Sequence, residues 1–167
     1  MKFGIEYELK NKTLSIPTVL IGRWSVGVDV YEIKSDNRYY VLSGDIPIEL
    51  TDGGATLLHG GTRYNRVSGN ASEFYGVWSL ESDPTEEWTL RADNSYTYHF
   101  SNFVYVGFFD ISGAIMNSGE MRAVLSEDNG TLTFSPPYSP PLSGAWSVAG
   151  STLTVSFPTG DVVYTKI

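Results

Sequence analysis

Two histidines, His59 and His99, are the only imidazoles in the chain, and no cysteine accompanies them. Neither a thiol nucleophile nor a thiolate or paired-imidazole metal site is therefore expected. His99 falls on the polar face of "YTYHF" and His59 stands beside a turn in "LLHGG", so both are expected at the surface. No serine sits in a Gly-x-Ser-x-Gly elbow, which leaves a hydrolase triad without support. Carboxylates gather in "DPTEE" (Asp83 to Glu87) and "SEDNG" (Ser126 to Gly130), patterns that fit solvated turns. What remains is aromatic chemistry. Eleven tyrosines and four tryptophans can line a cavity with rings that each offer apolar area and a hydroxyl or N–H.

Strand alternation decides which of these rings share a face. "YTYHF" puts Tyr96, Tyr98 and Phe100 on one side, and "EWTL" adds Trp88 and Leu90. An equivalent pattern earlier in the chain adds Tyr31, Ile33 and Tyr39. Tyr105 and Phe108 come from "NFVYVGFF", a stretch apolar on both faces. The candidate ligand-binding set is Tyr31, Tyr39, Trp88, Tyr96, Tyr98, Phe100, Tyr105 and Phe108. The same rings could equally form a packed aromatic core with satisfied hydroxyls.

Composition narrows the class. Aromatics at 14% with 17 glycines indicate a β-rich chain with many tight turns, and no stretch of useful length has helical periodicity. The formal charge of −8 and 11 scattered cationic residues argue against a nucleic-acid interface. No segment approaches the ~18–20 apolar residues of a spanning helix. The N-terminus "MKFGIEYELK" is charged where a signal peptide needs an apolar run, so a cytoplasmic location is expected. On that reading the glycosylation triplets at Asn11, Asn70 and Asn129 are fortuitous. "FGIEYEL" alternates from Phe3 to Leu9 and turns at Asn11 and Lys12, predicting an N-terminal hairpin over 1–21.

An internal echo follows. "GRWSV" from Gly22 matches "GVWSL" from Gly76, and "YEIKSDNRYYV" from Tyr31 matches "WTLRADNSYTY" from Trp88. Asp36-Asn37 and Asp93-Asn94 coincide, as turn residues that tolerate left-handed backbone. "GATLLHGGTRYNRV" aligns with "GSTLTVSFPTGDVVYTKI", setting Tyr64 and Arg66 opposite Tyr164 and Lys166. The comparison predicts a first unit over 22–70 and a second over 71–167. The second carries an insertion at about 101–141, which holds "NFVYVGFF", a hairpin turning at Asn129-Gly130, and "PPYSPP". Because the first unit lacks this insertion, it is expected to be dispensable to the scaffold.

The pattern "GVW…EEWTLRADNSYTYHF…SGAWSVAGSTLTVSF…VVYTKI" resembles the bacterial lipocalin-like domains of the calycin group. The matching positions are Gly76, Trp78, Asp93, Tyr96, Gly144, Trp146, Tyr164 and Lys166. The resemblance covers about 76–167 well and 22–67 more loosely. It implies an all-β, antiparallel, lipocalin-like β-barrel built from two related Gly-x-Trp units, as one barrel or as two. It also implies closing pairs in which a cation covers an indole: Trp24 with Arg66 and Trp78 with Lys166.

Three functions fit this reading. The first is binding of a small hydrophobic or aromatic molecule in a Tyr/Trp-lined cavity, with no cofactor and no metal. The second is a cyclase or isomerase that shapes a polyene or polyketide there, since positioning alone can accelerate a reaction. The third is a structural or interaction module, with homo-oligomer contacts through Phe103–Phe109.

Overall fold

The computed structural model describes residues 16–167. Of the expected N-terminal hairpin, residues 1–15 lie outside the described residues, and 16–21 carry a 3-10 turn, Thr18–Leu20. Fourteen strands follow: β1 (Gly22–Val26), β2 (Asp29–Ile33), β3 (Arg38–Thr51), β4 (Thr56–His59), β5 (Thr62–Ser68), β6 (Gly76–Leu80), β7 (Glu87–Leu90), β8 (Ser95–Phe100), β9 (Phe103–Ser112), β10 (Ile115–Asp128), β11 (Thr131–Ser135), β12 (Leu142–Ala149), β13 (Thr152–Phe157) and β14 (Gly160–Lys166). The fold is an all-β antiparallel sheet, as the alternation predicts.

Side-chain chemistry sets the turns. Asn37 and Asn94 take left-handed backbone (φ 65° and 62°), which asparagine tolerates better than most residues. In each case the preceding aspartate locks the turn. Asp36 Oδ1 accepts the Arg38 N–H at 3.2 Å, and Asp93 Oδ1 accepts the Ser95 N–H at 2.9 Å. The turn carbonyls then reach across the molecule: Asn37 C=O accepts from Leu125 N–H at 2.7 Å, and Asn94 C=O from Phe109 N–H at 2.9 Å.

Each strand pairs with its sequence neighbours, and β1 pairs with β14, so the sheet closes on itself. One further pairing divides that ring: β3 runs beside β10, from Arg38 opposite Val124 to Pro47 opposite Ile115. Two smaller closed rings result. The first contains β1, β2, β3, β10, β11, β12, β13 and β14, and the second contains β3, β4, β5, β6, β7, β8, β9 and β10. The two shared strands run for 14 residues each because each serves both rings. β3 pairs with β2 through Tyr39–Leu42 and with β4 through Ile48–Thr51. β10 pairs with β9 through Ile115–Glu120 and with β11 through Val124–Asp128. Register shifts at Asn117/Gly119 and Met121/Ala123 interrupt its pairing with β3, the kind of bulge that bends a strand.

The buried side chains separate in the same way. One cluster gathers Leu20, Trp24, Ile33, Tyr39, Leu125, Leu132, Phe134, Leu153, Val155 and Tyr164 inside the first ring. The other gathers Ile48, Leu57, Tyr64, Trp78, Trp88, Leu90, Tyr96, Phe109 and Met116 inside the second.

The rings do not follow the division at residue 70. The first ring joins the first and last described strands, β1 and β14, whereas the second is a continuous excursion that leaves along β3 and returns along β10. The stretch 101–141 is likewise not an addition to a complete scaffold. It supplies β9, β10 and β11, without which neither ring closes.

Candidate functional site

Closure of the second ring points alternate residues of its strands inward. His59 (β4), Tyr64 (β5), Trp88 (β7), Tyr96 and Tyr98 (β8), Tyr105 (β9) and Glu120 (β10) line a cavity of about 200 Å³. Cross-strand register sets the rings side by side: Trp88 lies opposite Tyr98, and Tyr98 opposite Tyr105. Trp88 is the hub. Its ring centre lies 4.8 Å from His59, 5.6 Å from Tyr64, 5.8 Å from Tyr96 and 6.3 Å from Tyr98, mostly edge-to-face. That geometry suits the positive edge and negative face of aromatic rings.

Two polar atoms of this lining are buried without a partner among the described residues, His59 Nε2 and Trp88 Nε1. An unmatched buried donor or acceptor costs about 1–3 kcal/mol, a cost the other rings of the site avoid. Tyr98, for example, donates its hydroxyl to Glu86 Oε2.

Burial keeps the rings uncharged. It pushes the His59 imidazole below its ordinary value and raises the Tyr64 and Tyr96 phenols. Tyr98 is raised first by burial and then by its bond to Glu86. Glu120 supplies the carboxyl group of the lining, and one of its oxygens meets Arg122 Nη1 at 3.1 Å.

Beyond Glu120 the wall opens. The β9–β10 pairing ends with Gly107 opposite Glu120, and the β10–β11 pairing begins with Val124 opposite Ser135. The gap is a cleft of about 360 Å³ lined by Phe103–Val106, Glu120–Arg122 and Pro136–Ser139. Tyr105 and Glu120 border both spaces. Tyr138 crosses the gap: its hydroxyl accepts from Val104 N–H at 2.7 Å and donates to Val104 C=O at 2.6 Å. A side chain thereby takes the place of a neighbouring strand.

Of the expected binding residues, Trp88, Tyr96, Tyr98 and Tyr105 meet in the cavity. Tyr31 and Tyr39 lie in the first ring, stacked at 5.0 Å, with the Tyr39 and Tyr164 hydroxyls 3.4 Å apart. Phe100 ends β8 largely exposed, at 44%. Phe108 turns to the outer side, 4.9 Å from Tyr40, with Lys34 Nζ 3.2 Å from its ring centre. Within the stretch proposed for self-association, Phe109 is buried in the second core, while Phe103 and Val104 are exposed.

His59 corrects an expectation. It is half-buried and lines the cavity rather than standing at the surface, because it follows Leu57 by two residues on the inward face of β4. Tyr64 could have been found through its alignment with Tyr164, which is itself buried. Glu120 carries no local signal, since its position depends on where β9 and β11 part.

The closing pairs are present, with their partners exchanged. Arg66 lies over Trp78, 4.0 Å from the ring centre, and Lys166 over Trp24 at 5.2 Å. The exchange follows from strand order: β5 pairs with β6, setting Arg66 opposite Trp78, and β14 pairs with β1, setting Lys166 opposite Trp24. Each indole is fixed alike, Trp24 Nε1–H donating to Leu20 C=O at 2.8 Å and Trp78 Nε1–H to Phe74 C=O at 2.9 Å.

Among the described residues, no helix is long and apolar enough to cross a membrane. Comparison with models of known protein families, with curated proteins and with solved structures finds no match for this chain.

Proposed function

We propose that the chain is a lipocalin-like binding protein built on an internal duplication, and that it takes one small molecule, about the size of a single ring, in the cavity of its second ring. The carrying observation is the pair of buried, unpartnered nitrogens, His59 Nε2 and Trp88 Nε1, among residues that line this cavity. A ligand with a polar atom offsets their desolvation, and the aromatic walls match a flat, partly polar body. The lipocalin-like part of the reading draws support from two eight-membered rings, each with a Gly-x-Trp strand and a cation over its indole. A cytoplasmic location goes with this reading, and the absence of cysteine fits a reducing compartment.

Volume decides between ligand sizes. Sites for drug-sized molecules enclose about 300–1,000 Å³, whereas a cavity of about 150 Å³ holds benzene. At about 200 Å³ this one suits a single ring better than a polyene or polyketide. A second reading, an isomerase or cyclase of small substrates, is favoured by His59 and Glu120 lining one space, where a base and a carboxylate could act on the same molecule.

Calorimetric titration with phenol and with toluene tests the proposal. Saturable one-to-one binding of phenol is expected. His59→Phe and Trp88→Phe should each weaken phenol about fivefold while leaving toluene within twofold. Absence of saturable binding by any compound of single-ring size would overturn the reading.

A further inference from the structure

We infer that the ligand of this cavity is a small organic cation, a protonated or quaternary amine, that also carries an oxygen acceptor. The inference rests on the binding reading above and names its chemical class. Tyr64, Trp88, Tyr96, Tyr98 and Tyr105 line the space with aromatic rings, whose negative faces attract a cation. Glu120 adds a carboxylate to this cage, and among the described residues no lysine or arginine lines the cavity. Arg122, which pairs with Glu120, lines the neighbouring cleft instead, and Glu120 borders both spaces. An anion of similar size would meet ring faces and Glu120 with no cation among the described lining residues to compensate it.

The second half of the inference comes from Trp88. An indole N–H only donates, so its buried, unpartnered Nε1 calls for an acceptor, which an ammonium group alone does not provide. His59 Nε2, buried and unpartnered in the same lining, can accept from a hydroxyl proton. A hydroxyl or ether carried beside the cationic centre meets the Trp88 requirement within about 200 Å³. The formal charge of −8 on the whole chain attracts such a molecule toward the protein.

The experiment is calorimetric titration with three probes of nearly equal shape: choline, its uncharged carbon isostere 3,3-dimethylbutan-1-ol, and the anion 3,3-dimethylbutanoate. Choline should bind at least about tenfold more tightly than the uncharged alcohol, and the anion most weakly. Glu120→Gln should reduce the cation's advantage over the alcohol to about threefold or less. Arg122→Gln, which removes the competing guanidinium, should increase that advantage, so a misfolded Glu120→Gln protein does not leave the inference untested. If the alcohol or the anion binds as tightly as choline, the inference is overturned while the small-ligand reading stands. If none of the three binds and phenol also fails, both fall together.

Discussion

The guanidinium carbon of Arg66 lies 4.0 Å from the centre of the Trp78 ring, directly across the β5–β6 pairing. The group is not held by the indole alone. Its Nε donates to Gly54 C=O at 2.6 Å, Nη2 to Glu73 C=O at 2.8 Å and Nη1 to Tyr75 C=O at 3.4 Å. The planar fork thus ties the turn after β3 and the approach to β6 onto one buried ring. Lys166 over Trp24, at 5.2 Å, has a single carbonyl contact, Val19 at 3.4 Å.

The two closures should therefore differ in weight. Arg66→Met should destabilise the protein by about 2–4 kcal/mol, because three carbonyls and a cation–ring contact are lost together. Lys166→Met should cost only about 0.5–1 kcal/mol. Arg66→Lys should restore little, since a single ammonium cannot serve three diverging carbonyls. Urea denaturation of the three variants checks the order.

Gly107 offers a test of the cavity wall. A Cβ there would come 2.1 Å from the Gly119 carbonyl oxygen and 2.6 Å from the Tyr96 ring. Gly107→Ala must displace one or both, costing about 1–3 kcal/mol and reshaping the space that Tyr96 lines. Gly113→Ala, in the β9–β10 turn at φ 62° with open space around it, should cost about 1–2 kcal/mol and leave ligand affinity unchanged. Calorimetric titration with phenol, alongside urea melts, separates the two effects.

The fold was legible where its causes are local. Asp36-Asn37 and Asp93-Asn94 turn the chain because of their own side chains, and alternation around Trp88, Tyr96 and Tyr98 identified three members of the cavity. What escaped is non-local. Tyr-x-basic endings look alike at Arg66 and Lys166, so the motif cannot say which indole each covers. The short connection from Ser68 to Gly76 settles it, because strands close in sequence favour pairing with one another. Tyr39 and Tyr96 hold equivalent positions yet face different interiors, Tyr39 the first core and Tyr96 the cavity. That outcome depends on β3 meeting β10, a contact between residues about eighty positions apart.

His59 should make stability fall on mild acidification. Burial holds its folded-state value below the ordinary 6.5, so the unfolded chain takes up the proton first as pH drops. The contribution of a neutral His59 is fully present above pH 6.5 and is lost as pH falls from there through the folded-state value. The aspartates Asp52, Asp83 and Asp93, all held below 3.8, contribute in a lower and separate window. His59→Phe should flatten the stability profile between about pH 7 and 5 and leave the steeper loss below about pH 4 intact. Urea midpoints measured at half-unit intervals check this, and an unchanged slope above pH 5 would count against a buried neutral imidazole.

Tyr138 closes the free edge of β9 through one hydroxyl, which both accepts from and donates to the Val104 backbone. Its ring also meets Phe103 at 5.1 Å and Tyr105 at 6.3 Å, so packing and hydrogen bonding can be separated by a single atom. Tyr138→Phe keeps the ring contacts and removes the strand-like bonds. Two bonds on an exposed edge contribute about 1–2 kcal/mol together, and their loss should act locally. Hydrogen exchange at the Val104 amide should accelerate by about tenfold, whereas the Gly107 and Phe109 amides, farther along the strand, should keep their protection. Tyr138→Ala should release the edge further and widen the cleft beside Tyr105 and Glu120. If Tyr138→Phe leaves Val104 exchange unchanged, the strand edge is protected by its pairing with β8 alone, and the tyrosine serves only as packing.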